Sequence, residues 1–208
     1  MAAQPRPRLL PEEYLEIERT AEFRHEYWQG EMFAMAGGSA RQSVIIFNLG
    51  RELGNLLKGR PCLVMGQDMR TRVAPDGLYA YPDVVVVCGE PKFADQRQDT
   101  LVNPTLIAEV LSPSTEAYDR GFKFAQYQAI ESLQEYVLVA QAEARVEVFR
   151  RQPNGRWIYS HYAGMDAVCA LESLGCDSID CRVPLREIYD KVEFDAAGGG
   201  PPSTAADA

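Results

Sequence analysis

The sequence predicts an α+β (or α/β) fold: a mixed sheet flanked by helices, with an extra N-terminal β-hairpin ahead of it and a β-rich C-terminal part behind it. Three observations carry that class. Ile45, Leu49, Leu53 and Leu56 recur at helical spacing. Residues 84–87 are an unbroken valine run, the mark of a strand buried on both faces. Around these two segments the pattern reads helix, three strands, helix, strand, then further strands, an order that packs helices on a sheet.

The elements follow in chain order. "LPEEYLEIE" reads as a short amphipathic helix, and "FRHEYWQGEMFAM" as two strands around the hairpin turn Gln29-Gly30. The helix through Ile45 starts at Ser39, which with Gln42 fits a capping box, and stops at Gly59. "CLVMGQDMRTRV" is the next strand, "APDG" a turn, and "YPDVVVVCG" the strand after it. "EPKFADQRQDTLVN" reads as a polar loop and "PTLIAEVLS" as the third strand. "EAYDRGFKFAQYQAI" is a helix despite Gly121. "EYVLVA", "ARVEVFRR" and "RWIYSHYA" are strands, the last two joined at "QPNG", and "PLREIYDKV" is a closing helix. Residues 1–194 form one domain on this reading. Residues 195–208, "DAAGGGPPSTAADA", lack the apolar residues to fold and are expected to be disordered.

Composition narrows the function. No apolar run approaches a membrane span, and "MAAQPRPRLLPEEY" lacks the apolar core of a signal peptide, so the expectation is a cytoplasmic protein with no membrane partner. The five cysteines include no CxxC pair, which argues against a zinc knuckle or a disulfide framework and for small buried hydrophobes. His25 and His161 form no HxxH or HExxH arrangement. There is neither a P-loop nor GxGxxG. A net charge of −9 argues against non-specific affinity for nucleic acid, but not against a nuclease whose acidic site takes up a cation first. Arg70, Arg72, Lys92, Arg97, Arg120 and Lys123 could supply a local basic face.

Two carboxylates stand out against their surroundings. Asp83 opens the valine strand behind Pro82, and Glu109 lies inside an apolar strand between Ala108 and Val110. Burying one ionised carboxylate without a partner is costly, and two on neighbouring core strands repel each other. Such a pair shares a proton or holds a cation. A hard cation such as Mg²⁺ wants carboxylate oxygens, a carbonyl and several waters. Asp83, Glu109 and the Val110 carbonyl could supply that set. Asp119, Lys123 and Tyr127, spaced i, i+4, i+8, share one helical face that the short loop "SPSTEA" can bring over the strand ends.

The pattern resembles the PD-(D/E)xK nuclease core, with its αβββαβ order. Pro82-Asp83 and Glu109-Val110 match that motif, but Leu111 stands where its lysine belongs; Lys123 on the helix could replace it, the migrated-lysine arrangement. The run from "YPDVVVVCGE" through "IAEVLSPSTEAYDRGFKFAQYQ" closely resembles the Uma2 family of restriction-endonuclease-like proteins, and "FRHEYWQGEMFAMAGGSARQSVII" fits the same family's N-terminal half. The resemblance covers roughly residues 10 to 192. It implies a restriction-endonuclease-like fold and a metal-dependent endonuclease acting on DNA with Mg²⁺ or Mn²⁺. Asp83 and Glu109 would be metal-binding acids, Lys123 the catalytic lysine, and Glu26 a further active-site acid. A homodimer would bring two sites to the two strands of a duplex. One departure is Gln42, where members often carry a histidine; a glutamine cannot titrate near neutral pH.

Each residue also has an architectural reading. Asp83 could cap the turn after Gly77, Glu109 could pair with Lys123 as a buried salt bridge, Asp119 could serve a helix N-terminus, and Tyr127 could be core. The alternative at the level of function is a catalytically inactive module on the same fold, binding nucleic acid or a protein partner.

Overall fold

The computed structural model describes residues 8–75, 77–172 and 180–194. Helix α1 (Pro11–Glu18) begins with a proline, whose missing N–H is no loss at a first helical position, and Glu13 reaches back to the Leu10 N–H (2.7 Å). Strands β1 (His25–Trp28) and β2 (Glu31–Ala34) form the expected hairpin. Gln29 (φ 47°) and Gly30 (φ 91°) are both left-handed, as a type I′ turn requires. Helix α2 (Ala40–Leu56) is capped by Ser39, whose hydroxyl accepts the Gln42 N–H (3.1 Å). The reciprocal half of the expected capping box is not made, because the Gln42 side chain turns to the Val110 carbonyl instead (3.0 Å). The buried stripe of α2 continues through Leu57 rather than Leu56, which is 37% exposed.

Then come β3 (Cys62–Gly66), β4 (Arg70–Arg72), β5 (Tyr79–Ala80), β6 (Val84–Cys88), β7 (Thr100–Leu101) and β8 (Leu106–Val110). The single strands expected for "CLVMGQDMRTRV" and "YPDVVVVCG" are each two. The first breaks at Gln67-Asp68, where the Met69 N–H closes a turn on the Gly66 carbonyl (3.0 Å); the second breaks at residues 81–83. The physical reason is a change of sheet: β3 and β6 pair with each other, while β4 and β5 pair in the other sheet. The expected polar loop contains β7, which pairs with β4.

The helix despite Gly121 is continuous but irregular: α3 (Glu116–Tyr118), a π turn (Asp119–Lys123) and α4 (Phe124–Tyr127). Strands β9 (Glu135–Val139), β10 (Arg145–Arg151) and β11 (Trp157–Ala163) follow. Strands β12 (Val168–Glu172) and β13 (Asp180–Pro184), which the sequence reading did not foresee, pair with each other, and α5 (Leu185–Ile188) is shorter than expected.

One sheet runs β11-β10-β9-β8-β6-β3 and the other β2-β1-β5-β4-β7. In the first, β3, β6 and β8 are successively antiparallel and β9 is parallel to β8. With α2 ahead and the α3–α4 helix between β8 and β9, that is the αβββαβ order. The valine run is explained by burial on both faces: Val84 and Val86 pack with Ile45, Leu49 and Leu53, while Val85 and Val87 pack with Ile107, Tyr127 and Leu133.

Cys62 and Cys88 are joined by a disulfide across the β3–β6 pair, a correction to the expectation of small buried hydrophobes. The antiparallel register sets them directly opposite, a relation that their spacing in the chain cannot reveal. Cys169 and Cys181 are free and buried, as expected of such hydrophobes. Among the described residues no helix is long and apolar enough to cross a membrane. The tail expected to be disordered, 195–208, lies outside the described residues.

Candidate active site

Register brings the two anomalous carboxylates together. Val84 pairs with Ala108, so one step further along the antiparallel ladder Asp83 faces Glu109 at the same end of the sheet. Asp83 shares the face of Val85 and Val87, and Glu109 that of Ile107 and Leu111. Both therefore point toward the α3–α4 helix. The Asp83 Oδ2 accepts the Val110 N–H (2.7 Å), and the Glu109 Oε2 lies 3.4 Å from the Asp83 nitrogen.

Lys123 meets them from the helix. Its Nζ lies 3.2 Å from Glu109 Oε1, 3.0 Å from Glu26 Oε1 and 3.3 Å from Asp119 Oδ1. The π turn widens the helix just where Asp119 and Lys123 must reach the same spot, a common position for such turns. The Tyr127 hydroxyl donates to Glu109 Oε1 (3.1 Å), so this tyrosine is buried and also bonded to the cluster. Glu26 arrives from the other sheet on β1, and the Tyr118 hydroxyl donates to its Oε2 (2.9 Å). Asp119, Lys123, Glu26 and Glu109 are each at most 6% exposed. Glu26 Oε1 and Asp119 Oδ1 make no hydrogen bond and touch Lys123 only as ion pairs.

The electrostatics follow from this inventory. Three carboxylates, Glu26, Glu109 and Asp119, hold one ammonium, and a fourth, Asp83, adjoins them at Glu109. Burial pushes the Asp83 carboxyl up to about 6, against the Val110 N–H, Lys123 and a Gln42 side-chain hydrogen bond, with Asp119 adding to the rise. Burial raises Glu109 well above the carboxylate range; Lys123 opposes this, and Asp119, Asp83 and Glu26 reinforce it. Burial would lower Lys123, but Glu109, Glu26 and Asp119 outweigh it and hold the ammonium charged.

The structure thus brings together Asp83, Glu109, Lys123 and Glu26, with the Val110 carbonyl beside them. The capping role for Asp83 after Gly77 is not made: that turn closes between the Gly77 N–H and the Ala74 carbonyl (3.0 Å). The Glu109–Lys123 salt bridge is present. Tyr118 was not singled out from the sequence; its only signal was its place beside Asp119. Three of the six cations conjectured as a basic face are taken up by other contacts. Arg70 is buried on Tyr81 and Thr100, Arg120 is paired with Glu116 and Glu147, and Lys123 is enclosed by carboxylates.

Among the described residues no three His, Cys, Asp or Glu side chains form a ready metal cage. The donor set still fits Mg²⁺ or Mn²⁺, since such ions take one or two carboxylates and keep several waters. Asp83, Glu109 and the Val110 carbonyl offer that set, and the buried negative excess is what a cation would relieve. The cluster forms the floor of a cavity of about 800 Å³ reached past Trp28, Phe33 and Phe122.

An αβββαβ core with acids where β6 begins and β8 ends defines the class: a restriction-endonuclease-like protein. The chain belongs to the Uma2 family, whose model, described as "putative restriction endonuclease", matches residues 11–177. That bears out the sequence resemblance. Two uncharacterized proteins of Synechocystis are similar to it. One, slr1290, is 38% identical over 82% of this chain and 88% of its own length; the other, sll1609, is 40% identical over 74% of this chain and 88% of its own. The crystal structure of a "putative nuclease belonging to DUF820" from Anabaena variabilis shares the fold, with a TM-score of 0.69 over 86% of this chain and 96% of that one, at 16% identity.

Proposed function

We propose that this chain is a metal-dependent endonuclease that hydrolyses phosphodiester bonds in DNA. The observation that carries the reading is the convergence of three buried carboxylates on a single lysine at a cavity floor, with the part-buried Asp83 beside them. An architectural salt bridge needs one acid per base, and two further buried acids, with Asp83 close by, are an expensive surplus in a core. Asp83 and Glu109, with the Val110 carbonyl, would hold Mg²⁺ or Mn²⁺. The ion, when bound, supplies Lewis acidity at the scissile phosphate and lowers the pKa of water. Lys123 supplies a fixed positive charge for the developing charge on the phosphate oxygens and orients the attacking water. Glu26 and Asp119 hold the Lys123 ammonium from two sides, and Tyr118 fixes Glu26. Asp83 ionises near neutral pH, so the charged form is available at physiological pH.

The test is cleavage of supercoiled plasmid and of single-stranded DNA in Mg²⁺ or Mn²⁺, with EDTA as control. Asp83→Ala and Glu109→Ala should abolish cutting, and Lys123→Ala should reduce it by about 10²-fold or more. Cutting that survives Asp83→Ala refutes the assignment. A second reading, a non-cutting module that binds nucleic acid, is favoured by the Gln42 amide on the Val110 carbonyl, which competes with a cation for that oxygen. It gains if the pure protein retards DNA on a gel and never cuts.

A further inference from the structure

The cavity has an ionic floor and apolar walls. Glu26, Glu109, Asp119 and Lys123 are so deeply buried that a phosphate reaches them only through the cavity. Its walls include Trp28, Phe33, Met35, Ile46 and Phe122. Phe33 is 46% exposed and Met35 37%. The hairpin register places Phe33 directly across from Glu26, and Trp28 lies two residues beyond Glu26 on the same face. Trp28 meets Phe122 edge to face at 5.1 Å, and Phe122 stacks on Tyr118 at 5.2 Å, so the rings are held in place.

What the walls lack is positive charge. Among the described residues lining the cavity, the sole cation is Lys123, already held by three carboxylates. Nearby, Arg24 is paired with Asp68. Duplex DNA hides its bases and presents phosphates, which proteins bind with lysine and arginine. An unpaired strand presents π-faces, and aromatic side chains bind these without regard to sequence.

We propose that the substrate of this site is unpaired DNA, a single strand or a flap. Its bases stack on Trp28, Phe33 and Phe122 while its backbone descends to the acid cluster. This rests on the nuclease reading of the same cluster and names its substrate class.

The experiment uses the Asp83→Ala protein in EDTA, so that nothing is cut, with Trp157→Phe added so that Trp28 is the sole tryptophan. The probes are a short oligodeoxythymidylate, an abasic strand of the same length and a blunt duplex. The expected result is quenching of Trp28 by the oligodeoxythymidylate, with the abasic strand and the duplex each bound at least about fivefold more weakly. Phe33→Ala, on the exposed edge strand β2, should weaken oligodeoxythymidylate binding by a similar factor without loss of fold. Equal affinity for the duplex or the abasic strand, or no binding at all, overturns the proposal. In Mg²⁺, wild-type protein should cut the unpaired strand faster than duplex. Equal cutting of duplex leaves the nuclease reading standing and overturns this inference. Base-dependent binding with no cutting in Mg²⁺ or Mn²⁺ overturns the nuclease reading and leaves the stacking surface in place.

Discussion

Asp83 is restrained by geometry and opposed by its surroundings. Its Oδ2 accepts the Val110 N–H, a bond that an asparagine oxygen can also accept. Its charge is the part that burial disfavours, which raises the carboxyl from 3.8 to about 6. Between those values the unfolded chain releases this proton before the folded one does. The folded state then binds more protons, and stability falls as pH rises through the window. Asp83→Asn removes that contribution, so above about pH 6 the variant should melt no lower than wild type. Mg²⁺ should stabilise wild type by about 1.4 kcal/mol at tenfold over Kd, an effect that grows as pH rises toward neutral and that the variant loses. Thermal melting with and without Mg²⁺ at constant ionic strength measures both. A strongly destabilised variant beside a wild type indifferent to Mg²⁺ and Mn²⁺ would make Asp83 architecture. Asp83 and Glu109 were legible in the sequence because a carboxylate inside an apolar run is a conflict that needs a cause. Tyr118 and Trp28 were not, because nothing near them in sequence says that two sheets meet over Glu109.

Among the elements, helices and hairpin were legible where pattern and cap agree, as at Ser39, Gly59 and Gln29-Gly30. The breaks in the two long strands were not, because residues 67–68 and 81–83 carry no glycine to mark the turn and the bend at which the chain changes sheet. The π turn was equally hidden, since its sequence differs from ordinary helix only by Gly121. That glycine is exposed, lies outside the positive-φ region, and would place an added Cβ in open space. Gly121→Ala should therefore raise stability by about 0.4–1 kcal/mol, read as a higher denaturation midpoint. A loss of stability would mean that the π turn depends on the glycine. The β3–β6 disulfide closes a loop with a sequence separation of 26. Cys88→Ser should cost about 2–4 kcal/mol, and reductant should lower the melting temperature of wild type but not of the variant.

For the molecule as a whole, the net charge was legible and its distribution was not. The sequence offered six cations as a basic face; folding spends two of them, Arg70 and Arg120, on internal or paired contacts and surrounds Lys123 with acids. A chain of net charge −9 with one enclosed ammonium lining its cavity has little affinity to draw there from counterion release. Stacking, which displaces no counterions, has to supply it. For single strands the slope of log K against log salt is about −0.7 per phosphate neutralised, so one or two contacts give no more than about −1.5. Titration of the Asp83→Ala protein with oligodeoxythymidylate in EDTA, across a series of KCl concentrations, measures that slope. EDTA matters because bound Mg²⁺ would add a cation to the site and steepen the dependence. A slope steeper than about −4 would require an array of cations along the strand and would move recognition from the aromatic wall to the phosphates.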